Sequence, residues 1–61
     1  MNDVIIVKVI YRLHYVDLLG DTMVTLLPDA KSMKEAERKA DEYLCGQLVL
    51  DRRVTDHVAY H

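Results

Sequence analysis

The sequence predicts an α+β domain: a three-stranded antiparallel sheet with one helix packed on one face, in the order β-β-α-β. Three observations carry this. Residues Val4 to Val16, VIIVKVIYRLHYV, are one long run of strand-forming side chains. Gly20-Asp21 is a turn signal, and a second such run, Thr22 to Leu27, follows it. Ser32-Met33-Lys34-Glu35 then opens a segment whose apolar residues recur at helical spacing.

The first strand is unusual because it is apolar on both faces. Side chains alternate between the two faces of a strand. The odd positions are Ile5, Val7, Val9, Tyr11, Leu13 and Tyr15, without a polar break. The even positions are Val4, Ile6, Lys8, Ile10, Arg12, His14 and Val16, apolar at both ends and basic in the middle. One helix covers one face, so the second face is expected to meet a partner or a second copy.

The second strand ends at Pro28, which cannot donate to a ladder and suits a strand end. The two strands are expected to form a hairpin with an even-numbered loop. Asp17 would then face Thr22, Tyr15 would face Val24 and Leu13 would face Leu26. Val24 and Leu26 would belong to the core face, and Met23 and Leu27 to the opposite one. A loop of three or five residues would exchange these sets, because a one-residue slip flips every side chain. At the hairpin tip, Leu18 and Leu19 are two leucines where polar residues are usual. They are expected either to fold under the helix end or to touch a partner.

The helix start fits a capping box, with the Ser32 hydroxyl accepting from a first-turn amide and Glu35 three positions on. Met33, Ala36, Ala40, Tyr43 and Leu44 make the apolar stripe, and the small alanines allow close approach to a sheet. Glu35–Lys39 and Arg38–Glu42 are candidate i,i+4 pairs, each worth about 0.2–0.5 kcal/mol. Gly46 suits the left-handed position after a helix. The segment Arg53 to Tyr60 alternates well enough for a third strand, with Val54, Val58 and Tyr60 on one face and Asp56 interrupting. The long first strand is the expected centre of the sheet.

Size and composition set the bounds. At 61 residues the chain is one domain, residues 1–61, and small domains of this kind are marginal alone. It is 51% hydrophobic and 30% charged, the balance of a globular chain. Phe and Trp are absent, so the core is built from Val, Ile, Leu and Tyr. Eight basic against ten acidic residues give a net charge of −2, which argues against general nucleic-acid affinity. The single cysteine, Cys45, rules out an internal disulfide and fits a reducing compartment. MNDV lacks the basic start of a leader, and no apolar run approaches the roughly 20 residues of a membrane span. A cytoplasmic protein without membrane contact is expected.

Candidate chemistry is sparse. His57 and His61 are four apart and His14 lies on the first strand, but one cysteine and this spacing make no zinc signature. No metal and no cofactor is expected. Cys45 follows a helix C-terminus, where the dipole disfavours a thiolate, and is expected to be a half-buried structural residue. The carboxylate pairs Glu37/Asp41 and Asp51/Asp56 lack a pocket to separate their pKa values. Asp21 and Asp29 suit turns or caps, and Gly20 and Gly46 are isolated, so no phosphate-cradling loop exists. Catalysis is not expected.

The layout of a short hairpin, one helix opening Ser32-x-x-Glu35-Ala36 and a closing strand resembles small phage-encoded inhibitor proteins, among them inhibitors of bacterial RNA polymerase and some anti-CRISPR proteins. The resemblance is one of layout over most of the chain. It implies a non-catalytic protein that blocks or adapts a larger host protein, and it assigns no residue. The residues themselves place the expected contacts at Ile6, Lys8, Ile10, Arg12, His14, Val16, Leu18, Leu19, Met23 and Leu27, on the second sheet face and hairpin tip. The same face would serve a structural homodimer. A nucleic-acid-binding module using Lys8, Arg12, Arg52 and Arg53 is the remaining alternative.

Overall fold

The computed structural model describes residues 7–60. The expected contributions of Val4, Ile5, Ile6 and His61 lie outside the described residues. The elements are β1 (Val7–Val16), β2 (Thr22–Leu27), α1 (Met33–Leu44) and β3 (Asp51–Tyr60). They form one three-stranded sheet in the order β2-β1-β3 with β1 antiparallel to both neighbours. The predicted α+β class, element order and central first strand are those of the structure.

Each boundary has a local cause. The hairpin between β1 and β2 is closed by Asp17. Its carboxylate accepts from the amides of Leu19 (3.0 Å) and Asp21 (2.9 Å), while its own amide donates to the Asp21 carbonyl (3.0 Å). Gly20, at φ 87°, supplies the left-handed residue that this turn needs. Ser32 caps α1 by accepting from the Glu35 amide at 3.1 Å. The helix ends in two left-handed residues, Cys45 (φ 49°) and Gly46 (φ 81°), and the Cys45 amide donates to the Asp41 carbonyl at 2.9 Å. Of the two candidate i,i+4 pairs, Arg38–Glu42 closes at 3.0 Å.

The hairpin register corrects the expected one. Val16 pairs with Thr22, Tyr15 with Met23, Leu13 with Thr25 and Tyr11 with Leu27. The loop is therefore five residues, Asp17 to Asp21, because Asp17 is spent on closing the turn rather than on pairing with Thr22. Every β2 side chain is flipped relative to the four-residue loop. Leu27, expected on the open face, is core and 6% exposed, and Met23 also lies on the helix side. Val24 and Leu26, expected in the core, are 56% and 57% exposed on the other face.

The core lies between α1 and the odd-numbered face of β1. Tyr11, Leu13 and Tyr15 are buried with Leu27 and Ala30 against Ala36, Ala40 and Leu44, while Val49 and Val54 pack at the margin. The alanines bring the helix close, and only Leu44 adds bulk from the predicted stripe. Met33 and Tyr43 stay largely exposed, although the Tyr43 ring sits 6.3 Å from that of Tyr15 in a tilted pair. Arg52 fastens the helix to β3 through Asp41, Nη1 to Oδ1 at 2.5 Å. Cys45, expected to be half-buried, is exposed, because it lies one position beyond the last residue of the buried stripe.

Candidate interaction face

The sheet's second face has no helix over it among the described residues. In an antiparallel sheet, directly paired residues share a face, so the registers define it row by row. Val16 lies between Thr22 and Asp51, His14 between Val24 and Arg53, and Arg12 between Leu26 and Thr55. Beyond the end of β2, Ile10 pairs with His57 and Lys8 with Ala59. The apolar part of this face is therefore Val24 and Leu26 with half-buried Ile10 and Val16. The polar part is Lys8, Arg12, His14 and Arg53, with Asp51 at one end.

Five of the expected contact residues, Lys8, Ile10, Arg12, His14 and Val16, are brought together here. Met23 and Leu27 are not, for the register reason given above, and Val24 and Leu26 take their places. The sequence held a signal for this exchange: an aspartate three residues before a glycine can close a turn with its own side chain. Leu18 and Leu19 do not fold under the helix. They stand 60% and 88% exposed at the hairpin tip. Arg52, expected beside Arg53 in a basic strip, is on the helix face and occupied by Asp41, since consecutive strand residues point to opposite faces.

The face holds its polar groups in fixed places. His14 Nε2 and Thr55 Oγ1 share a hydrogen bond of 2.8 Å across β1 and β3. One Asp51 carboxylate oxygen accepts from the Arg52 amide at 2.9 Å. Among the described residues neither Arg12, Arg53 nor Lys8 makes an ion pair. Two depressions mark the surface. A shallow groove of ≈ 350 Å³ runs past His14, Val16, Thr22 and Arg53. A smaller recess of ≈ 120 Å³ lies where β2 stops, between Lys8, Val9, Ile10, Leu26 and Pro28.

On the helix side, the Tyr15 hydroxyl is held above the ordinary tyrosine pKa. Lost hydration is the main cause, followed by hydrogen bonding to Tyr43 and the charges of Tyr43 and Asp17. Among the described residues no three His, Cys, Asp or Glu side chains gather as a metal site, and no helix is long and apolar enough to cross a membrane. In comparisons with known proteins, no family model, curated protein or solved structure matches the chain.

Proposed function

We propose that this chain is a small non-catalytic binding module that engages a larger protein through the open face of its sheet, as an inhibitor or adaptor of the phage type. One observation carries the reading: Val24 and Leu26, two large aliphatic side chains, stand more than half exposed on β2, beside half-buried Ile10 and cations that make no ion pair among the described residues. An apolar patch rimmed by polar groups is the usual composition of a protein-docking surface. At roughly 25 cal/mol per Å², covering a few hundred Å² of it contributes several kcal/mol. The exposed leucines of the hairpin tip, Leu18 and Leu19, lie at one end of the same sheet and extend the reach of the surface.

The test uses the wild type and Leu26→Asp as baits in a bacterial lysate, with captured proteins identified by mass spectrometry. Leu26 is exposed, so the variant should fold, and circular dichroism checks this. A partner held by the wild type and lost from the folded variant is the expected result. Identical captured sets overturn the reading. Light scattering at high concentration separates the homodimer, which would appear as a doubled mass that Leu26→Asp abolishes.

A further inference from the structure

We propose that the occupant of the open face is an extended acidic polypeptide segment, its carboxylates over Arg12, His14 and Arg53 and one of its aliphatic side chains in the recess beside Ile10 and Leu26. The inference rests on the face being a protein-docking surface and adds the chemistry of what docks.

Charge is the first argument. The chain carries a net −2, yet its open face has the opposite sign. Among the described residues, Lys8, Arg12 and Arg53 stand there against one carboxylate, Asp51, at the far end. His14 is directly opposite Arg53, and Arg12 is two residues along β1. Arg12 and Arg53 are thus diagonal neighbours across the ladder, about 7–8 Å apart. His14 has Thr55 as a partner, and among the described residues neither guanidinium group makes an ion pair. A guanidinium donates two parallel hydrogen bonds to a carboxylate, so an acidic partner matches this pair of cations.

Spacing is the second. Lys8 and Arg12 are four residues apart on one strand, about 13 Å at the usual strand rise. Two carboxylates four residues apart on an extended partner meet both cations from one face, and the side chain midway between them on that face comes over Ile10. The recess is lined by Lys8, Ile10 and Leu26, and Leu26 is the cross-strand neighbour of Arg12. Its ≈ 120 Å³ is several times the roughly 30 Å³ share of one water, room for an aliphatic anchor.

The same facts weigh against the other occupants. A second copy whose two-fold axis passed through the centre of this face would bring its own Arg12 and Arg53 against the same group of cations. Single-stranded nucleic acid binds on aromatic platforms, but Tyr11 and Tyr15 are buried beneath the helix and Tyr43 is on it.

The experiment titrates the ¹⁵N-labelled chain with three probes: the peptide Glu-Ser-Leu-Ser-Glu-Ser-Glu, which carries its acids and its leucine on one face when extended, its counterpart with Lys for Glu, and an oligothymidylate of equal net charge. The acidic peptide should shift the amides of Arg12, His14, Leu26 and Arg53. The basic peptide should not, and the oligonucleotide should bind at least tenfold more weakly. The doubly substituted Arg12→Glu/Arg53→Glu chain should lose tenfold or more in affinity for the acidic peptide. No shift at millimolar acidic peptide, or equal shifts with the basic one, overturns the proposal, and tighter oligonucleotide binding assigns the face to nucleic acid instead. The lysate partner separates the two levels of inference. If Leu26→Asp loses it and Arg12→Glu/Arg53→Glu keeps it, the docking face stands and the acidic occupant fails. If both variants keep it, the docking face itself fails.

Discussion

The two faces of β1 are made of alternate residues of one strand, yet they live in different solvents. Tyr11, Leu13 and Tyr15 are buried beneath the alanines of α1. Between them, Ile10, Arg12, His14 and Val16 remain half accessible. The difference is not one of hydrophobicity alone, since the open face also carries Val24 and Leu26. It is one of cover. The one helix among the described residues, 12 residues long, shields one side of the sheet, and the other side keeps its apolar surface. An aliphatic side chain that adds little to folding is thus a better pointer to an outside contact than one that the core requires.

The sharpest way to break the comparison is to weaken the covered face. Leu13 is fully buried at 0% exposure at the centre of the core. Leu13→Ala should cost about 2.7–5 kcal/mol, read as a lower urea midpoint. In a domain this small, that loss should leave much of the chain unfolded at 25 °C.

Altering the cover instead of the strand should cost less. Ala40 is likewise fully buried, and Ala40→Leu forces added volume between α1 and the sheet. A loss of about 1–3 kcal/mol is expected by the same denaturation measurement.

Tyr15 allows the covered face to be probed by pH. Its folded pKa is raised above the ordinary 10.0, so the folded state holds the phenolic proton more tightly than the unfolded one. Its stabilisation is fully present below pH 10 and is lost as pH rises through the raised value. Unfolding midpoints should therefore fall above pH 10, and Tyr15→Phe should flatten that decline without removing the parts due to other groups.

The smallest effect belongs to the open face. Leu26→Thr removes an exposed aliphatic side chain in favour of a good strand former, and stability should change by no more than about 0.5 kcal/mol. A loss near that of Leu13→Ala would mean that the face is already covered in the free protein.

Most of the fold is legible in the sequence because its signals are local. Pro28 ends β2, Ser32 starts α1, and the unbroken odd positions of β1 mark the core face. The register of the hairpin is less legible because TMVTLL offers aliphatic residues on both faces: Val24 and Leu26 on one, Met23 and Leu27 on the other. Alternation cannot choose between them, and the choice falls to hydrogen bonds made by one side chain, Asp17. The candidate face inherits this division. Its β1 residues follow from strand periodicity, whereas its β2 residues depend on the turn. The exposure of Cys45 is illegible for a related reason: helical spacing locates a stripe but not the residue at which the chain leaves it.

The unequal lengths of the strands carry a consequence in time. β1 and β3 pair over ten residues, while β2 reaches only from Val16 to Tyr11. From Val7 to Ile10, β1 thus has one hydrogen-bonded neighbour instead of two. Amide exchange should grade along this single strand, slowest beside Leu13 and fastest toward Val7, because opening the outer ladder leaves the helix-covered core undisturbed. The end with Lys8 and Ile10 can then adjust to an incoming chain on a short timescale, while the rows at Arg12 and His14 stay fixed and set where that chain comes to rest.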